Sequence, residues 1–256
     1  MAPTRIDLNA DVGEAFGAYT LGYDRGLMSS ITSASIAAGF HAGDPTVLRN
    51  TIRLARSAGV AVGAHPGFPD LVGFGRRELH VSPAEAEDMV LYQIAAVAGV
   101  AAAEGVRLQH VKPHGALFNM AARNARLSMA IAAATASFDR SLILFGPPAS
   151  ELLNAGRAAG LRVAAEVFAD RAYEADGSLV PRSASGSVLR DSSMVVSRAV
   201  RMVKDRVVEA VDGTIVQLEA DTICIHSDTP GAEGMATELR RGLEMAGVIV
   251  KAVGAV

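Results

Sequence analysis

The stretch Ala103-Glu104-Gly105-Val106 joins an alanine-rich segment of helical composition directly to an apolar run. Glycine just after a helix adopts the left-handed conformation at no steric cost, and a short apolar, β-branched run is typical of a buried strand. The stretch therefore predicts a helix that is followed at once by a strand. Three further stretches carry the same pattern: Ser57-Ala58-Gly59-Val60, Ala158-Ala159-Gly160-Leu161 and Met245-Ala246-Gly247-Val248.

Two helix starts are also visible in the sequence. In Asp44-Pro45, a carboxylate suited to capping a helix precedes a proline at the first helical position, so Asp44 is interpreted as a cap rather than as a catalytic group. Ser82-Pro83-Ala84-Glu85 is a capping box with the same proline. Together these signals predict strands near 5–9, 33–39, 60–64, 106–111, 142–145, 161–167, 214–218 and 222–225, with helices that include 45–58, 83–104, 116–136 and 149–159.

Alternating strands and helices predict an α/β fold with a parallel sheet and right-handed crossovers. About seven such units in a chain of this length favour a single-domain (β/α) barrel-like fold over residues 1–256, with an incomplete barrel. An open, doubly wound sheet is the alternative architecture. The sequence shows no linker or low-complexity tract that would divide the chain.

The composition limits the classes of partner. Of the 256 residues, 50% are hydrophobic, which is enough for one sizeable core, and the net charge of −3 gives no basic surface for nucleic acid or an anionic membrane. The single cysteine, Cys224, excludes an intrachain disulfide, and the N-terminus has no signal-peptide pattern, so a soluble cytoplasmic protein is expected. The apolar stretch Met89–Ala103 is shorter than the roughly 20 residues that span a bilayer, and we expect a buried helix face there.

Polar and ionisable residues recur where the predicted strands end, as in Asn9-Ala10-Asp11, His65-Pro66 and Lys112-Pro113-His114. Because the carboxyl ends of parallel strands point to one face of the fold, these side chains are expected to converge on one cavity. The predicted catalytic residues are Asp11, His65, Lys112 and His114. The predicted substrate-binding residues are Asn9, His41, Glu166, Arg171, Arg182, His226 and Asp228.

Several other interpretations stay open for these residues. A histidine near a strand end is also typical of a group that only makes a structural hydrogen bond. Asp11, His41 and His65 are candidate ligands of a transition metal, because metal sites in barrels need no local motif. The sequence contains no P-loop, no G-x-S-x-G and no H-E-x-x-H. Cys224 lies in an apolar run and is expected to be a buried thiol rather than a nucleophile.

Several blocks along the chain resemble those of the LamB/YcsF family. They run in order from one terminus to the other and include Ile6–Glu14, Ile36–Asp44, Gly63–Asp70, Gly73–Arg77, His110–Asn119, Glu166–Tyr173, Asp176–Arg182 and Cys224–Ala232. The resemblance implies an incomplete, seven-stranded TIM-like barrel of the glycoside hydrolase/deacetylase type. It also implies ATP-dependent hydrolysis of the lactam 5-oxo-L-proline to L-glutamate, with magnesium accompanying the ATP, in a complex with 5-oxoprolinase subunits B and C.

A mechanism follows from the chemistry of the lactam. Transfer of a phosphoryl group from ATP to the amide oxygen would activate the ring for attack by water. Lys112, with Arg171 or Arg182, is expected to stabilise the negative charge, Asp11 to act as base or metal ligand, and His65 and His114 to transfer protons. The alternatives are a metal-dependent amidase or deacetylase that acts alone and a binding subunit that presents substrate to catalytic partners. The sequence leaves homo-oligomer formation open.

Overall fold

The computed structural model describes residues 4–22, 24–182, 184–226 and 231–255, although the side chain of His226 is not described. Its strands are β1 (Arg5–Val12), β2 (Ser33–Ala37), β3 (Ala61–His65), β4 (Leu108–Val111), β5 (Ile143–Gly146), β6 (Arg162–Phe168), β7 (Val207–Glu209), β8 (Ile215–Gln217), β9 (Thr222–His226) and β10 (Ile249–Val250). Its helices are α1 (Asp24–Leu27), α2 (Pro45–Ala58), α3 (Pro83–Ala103), α4 (Gly115–Ala121), α5 (Ala125–Phe138), α6 (Glu151–Ala158), α7 (Ser192–Lys204) and α8 (Ala232–Met245).

Seven parallel strands form a closed barrel in the order β1-β2-β3-β4-β5-β6-β9, and β9 pairs with β1 to complete it. In this register, Asp11 lies opposite Ser35 on one side and His226 on the other. The short strand β10 pairs with the first residues of β1, outside the ring. The predicted seven-stranded barrel is confirmed, and the pairing of β1 with β9 rules out the open sheet.

The four predicted helix-to-strand junctions have the expected backbone conformation. Gly59, Gly105, Gly160 and Gly247 all have positive φ, at 68°, 71°, 76° and 79°. Asp44 caps α2 by accepting hydrogen bonds from the backbone N–H groups of Thr46 and Val47. The Ser82 capping box at the start of α3 is also present. These local signals therefore mark four helix-to-strand junctions and the starts of two helices.

Two predicted elements differ from the structure. The helix predicted over 116–136 is two helices, because Asn124 accepts hydrogen bonds from the N–H groups of Arg126 and Leu127 and starts α5 anew. The strand predicted near 214–218 is not part of the barrel. It forms an antiparallel hairpin of β7 and β8, turned around Asp212 and Gly213.

The helix α3 is long and apolar enough to cross a membrane by length and composition alone. In the fold it packs against α5, α2 and β3 in the layer around the barrel. The Gln93 side chain is buried, donates to the Gly67 carbonyl and accepts from the Gly67 N–H. The predicted buried helix face is confirmed, and the helix begins at Pro83 as predicted.

The strand β1 contributes polar side chains to the interior of the barrel. Along β1, the alternating residues Ile6, Leu8, Ala10 and Val12 belong to the apolar core. The intervening residues Asp7, Asn9 and Asp11 are buried and make hydrogen bonds or ion pairs with side chains of other strands. Because successive side chains of a strand point to opposite faces, β1 separates an apolar layer under the helices from a polar interior that leads to the site.

Candidate functional site

A cavity of about 810 Å³ opens at the carboxyl ends of the barrel strands. All four predicted catalytic residues contribute to its lining, and so do three of the predicted substrate-binding residues. These seven are Asp11, His65, Lys112, His114, Glu166, Arg171 and Arg182. The chain thus brings residues more than a hundred positions apart, such as Asp11 and Lys112, to one surface.

The ammonium group of Lys112 is at the centre of the cavity floor. Its Nζ is 2.7 Å from Asp11 Oδ1 and 2.8 Å from Glu166 Oε1, and it donates to Asn9 Oδ1 at 3.1 Å. Burial opposes the charged form, but the carboxylate of Asp11 and the other anionic groups raise the pKa of Lys112 well above its usual value. Lys112 is therefore a fixed positive charge at neutral pH.

Two carboxyl groups share this one ammonium. Glu166 is fully buried, and burial raises its pKa although Lys112 lowers it. Cys224 Sγ also accepts from Lys112 Nζ, at 3.0 Å, and burial raises the pKa of this thiol well above its usual value. The expectation that Cys224 is a buried thiol is confirmed, while its contact with Lys112 was not predicted.

A hydrogen-bonded layer below the cavity floor holds Asn9 and Glu166 in place. The amide of Asn9 donates to Glu166 Oε1 at 2.8 Å and to Thr222 Oγ1 at 2.7 Å. The carboxyl group of Asp7 accepts from Thr222, Thr32 and Ser33. Burial raises the pKa of Asp7 to about 6, although these hydroxyl groups act in the opposite direction. Asn9 therefore contacts the site from beneath rather than lining the cavity.

Three buried histidines form a cluster beside Asp11. His65 Nε2 is 2.9 Å from His114 Nδ1 and 3.4 Å from Asp11 Oδ2. The ring of His41 stacks on that of His114 with centroids 3.8 Å apart, behind the cavity wall. Burial lowers the pKa of His41 and of His114 well below the usual value, so both rings are neutral at neutral pH. Glu14 Oε1 is 3.6 Å from His41 Nε2 and 3.7 Å from His114 Nδ1.

Two glycines let the backbone come close to the rings of this histidine cluster. A Cβ on Gly67 would lie 2.5 Å from His41 Nδ1, and a Cβ on Gly75 would lie 2.7 Å from His41 Cβ and 2.8 Å from His114 Cδ2. Gly75 also has a positive φ of 63°. Side chains at these two positions would displace the histidines, so the loops after β3 depend on glycine to pack against the cluster.

Arginine residues surround the mouth of the cavity, namely Arg76, Arg123, Arg171 and Arg182. Arg171 is buried and donates to the carbonyl groups of Val180 and Ser187, which ties the loop after β6 together. Burial lowers the pKa of Arg171 from its usual value. The rim is therefore suited to an anionic substrate, and Arg171 also has a structural role.

Two predicted substrate-binding residues, His226 and Asp228, are not described as side chains, and one residue of the site, Glu14, was not predicted. The backbone of His226 ends β9, but its side chain and all of Asp228 lie outside the described residues. Glu14 was missed, although it ends the block Ile6–Glu14 and follows Asp11 by only three residues. A carboxylate two residues after a strand that already has Asp11 near its end was the signal that could have identified it.

A model of the LamB/YcsF family matches residues 6–256. The chain belongs to the LamB/YcsF family. A relative from Tolumonas auensis, named as the A subunit of 5-oxoprolinase, is 54% identical over 97% of this chain and 99% of its own length. The crystal structure of a lactam utilization protein from Thermus thermophilus is 49% identical, with a TM-score of 0.92 over 97% of this chain and 99% of that one.

The LamB/YcsF barrel is also similar in fold to more distant proteins. A structure of the T48 deacetylase with substrate has a TM-score of 0.50 and 14% identity, over 97% of this chain and 87% of that one. At this level of identity the likeness concerns the fold alone. It agrees with the expectation of a TIM-like barrel of the deacetylase type.

Proposed function

We propose that this LamB/YcsF chain is the A subunit of an ATP-dependent 5-oxoprolinase, which hydrolyses 5-oxo-L-proline to L-glutamate in the cytoplasm. Relatives that match over at least 97% of their own length have that subunit's name. The observation that carries the proposal is the Lys112 ammonium between Asp11 and Glu166 at the floor of an arginine-rimmed cavity. A lactam with one carboxylate fits such a site in charge, and the volume of the cavity is ample for it.

The site contains the groups that lactam hydrolysis needs. Water must form a bond to the carbonyl carbon, the C–N bond must break, and a proton must reach the departing nitrogen. We propose that Asp11 takes a proton from the water and that the positive charge of Lys112 stabilises the negative charge that develops on the carbonyl oxygen. His65 lies 3.4 Å from Asp11, and in this proposal it passes a proton toward the nitrogen. The arginines of the rim would bind the substrate carboxylate.

In this proposal, ATP and magnesium bind to the complex with subunits B and C rather than to this chain alone. Lys112 is already enclosed by Asn9, Asp11, Glu166 and Cys224, so it is not placed like the lysine of a phosphate-binding loop. A nucleotide needs several cations or backbone N–H groups aimed at its phosphates. We therefore propose that the isolated chain binds ATP weakly and that the assembled complex couples ATP hydrolysis to ring opening.

The test is 5-oxoproline-dependent release of ADP and glutamate by this chain alone and after mixing with subunits B and C. We expect little or no turnover by the isolated chain and coupled turnover by the mixture. Full coupled activity from the isolated chain would refute the dependence on partners. A mixture that hydrolyses no lactam, although each protein in it is folded, would refute the proposed function.

The second candidate function is a metal-dependent amidase that needs no ATP. The specific observation in its favour is the histidine cluster with Glu14, because these residue types bind zinc-like ions. Release of glutamate without ATP by the metal-loaded chain alone would favour this candidate.

A further inference from the structure

The side-chain amide of Asn9 has only one orientation that suits its neighbours. Its Oδ1 lies 3.1 Å from the Nζ of Lys112, and an ammonium group can only donate, so the oxygen of the amide must face it. Its Nδ2 donates to Glu166 Oε1 at 2.8 Å and to Thr222 Oγ1 at 2.7 Å. Asn9 is fully buried, so solvent cannot offset the repulsion that the reverse orientation would create.

The hydroxyl group of Thr222 connects this amide to Asp7. A hydroxyl has one hydrogen, and because Thr222 Oγ1 accepts from Asn9, that hydrogen is donated to Asp7 Oδ2. Burial raises the pKa of Asp7 to about 6, so at neutral pH Asp7 is ionised and its carboxylate can only accept. The direction of the Thr222 hydroxyl is therefore also set from the side of Asp7.

The hydrogen bonds between Lys112 and Asp7 all run in one direction. Lys112 donates to Asn9, and Asn9 donates to Thr222. The Thr222 hydroxyl then donates to Asp7. A positive charge is at the first donor and a negative charge is at the last acceptor, an order in which each bond polarises and strengthens the next. All four residues are buried, so this chain of bonds supports the cavity floor from below.

We infer that Thr222 is a positioning residue for the proposed reaction and that it acts through Asn9 on Lys112. Thr222 is fully buried on β9, so it does not itself touch a substrate in the cavity. Its hydroxyl keeps the amide oxygen of Asn9 turned toward the Lys112 ammonium, which fixes one of the contacts that hold Nζ in place. Without that hydroxyl, an N–H of Asn9 and an oxygen of Asp7 lose a partner, and the amide can turn.

The first test follows Lys112 by nuclear magnetic resonance in the full chain and needs no turnover. The sequence has only three lysines, so a chain with isotopically labelled lysine gives three sets of side-chain signals. Lys204→Met and Lys251→Met assign two of them, and the third belongs to Lys112. Thr222→Val removes the hydroxyl and keeps the shape of the side chain. We expect it to shift the Lys112 signals and to speed the exchange of the ammonium protons with water.

The second test rests on the proposed function and measures lactam turnover by the complex with subunits B and C. Thr222→Val should lower kcat about 10- to 100-fold, since a small misplacement of a catalytic group has an effect of that order. KM should stay nearly unchanged, because in the proposed function the arginines of the rim bind the substrate carboxylate. Thr222→Ser keeps the hydroxyl and should restore both kcat and the Lys112 signals.

The matched control is Thr135→Val, which removes a fully buried hydroxyl that donates to the Ile131 carbonyl within α5. It should change neither the Lys112 signals nor kcat. Unchanged signals and kcat in folded Thr222→Val would overturn the inference, and so would equal effects of Thr135→Val or a lack of recovery in Thr222→Ser. Circular dichroism shows whether each variant is folded.

Neutron diffraction of the unmutated chain keeps the inference falsifiable if Thr222→Val does not fold. We expect the Thr222 deuterium to point to Asp7 and the Asn9 deuteriums to point to Thr222 and Glu166. A Thr222 deuterium directed at Asn9 would overturn the inference. A complex with the unmutated chain that hydrolyses no lactam would refute the proposed function instead, while the Lys112 signals would still test the role of Thr222.

Discussion

Lys112 is the positive charge around which the buried polar groups of the site are arranged. It contacts two carboxylates, an amide oxygen and a thiol, all contributed by other strands. Removing one partner from a buried charged group is costly because the opposite charge is left without compensation. Stability and the proposed chemistry therefore depend on the same side chain.

Lys112→Met should reduce both stability and activity. The substitution leaves Asp11 and Glu166 buried without a counter-charge, which costs about 3–5 kcal/mol of unfolding free energy. Urea unfolding measures the loss, and lactam turnover by the complex should fall at least about 100-fold. Lys204→Met is the control, because Lys204 is exposed and donates to the Ala246 carbonyl at the surface. Equal effects of the two substitutions would contradict this account of Lys112.

Asp7 should make stability depend on pH. Burial raises its folded-state pKa from 3.8 to about 6, so the folded chain holds the proton more tightly than the unfolded chain. Its contribution is complete below pH 3.8 and is lost as the pH rises through 6, by about 3 kcal/mol in total. The difference in unfolding free energy between the unmutated chain and Asp7→Asn should change by that amount over this range. Asp88→Asn, an exposed change, should show no such trend.

Among the elements, the helix ends and strand starts were the best predicted. The glycine junctions and the Asp44 and Ser82 caps are local signals, and the structure places all of them as expected. The split between α4 and α5 and the hairpin of β7 and β8 were not predicted. A helical pattern continues across Asn124, and an apolar alternation does not tell whether a strand joins the barrel or a hairpin.

Asp44→Ala tests the interpretation of that residue as a cap. The carboxylate accepts from Thr46, Val47 and Gly17, and these contacts with N–H groups lower its pKa. Loss of the cap should lower the unfolding free energy measurably, with turnover by the complex retained. Asp44→Ser should recover most of the stability, since serine also caps helices. A large loss of turnover in folded Asp44→Ser would indicate a catalytic role instead.

For the whole molecule, closure of the barrel is what assembles the site. Asp11 on β1, Lys112 just after β4 and Glu166 on β6 meet in the interior, where parallel strands place their carboxyl ends together. That convergence was predictable from strand order. The partners of each side chain were not, because they depend on the radius and register of the barrel: Glu14 joins the histidines, Cys224 contacts Lys112, and Asn9 lies below the floor.

The most direct test of the central claim is the rate of ATP-coupled glutamate formation by complexes of subunits B and C with either the unmutated chain or Asp11→Asn. Asparagine keeps an oxygen for Lys112 but removes the base, so the account predicts a loss of at least about 100-fold in kcat. The chain's fold and its association with the partners should be unchanged, and Asp88→Asn complexes should match the unmutated ones. Full coupled turnover by the Asp11→Asn complex would contradict the assignment of the chemistry to this site.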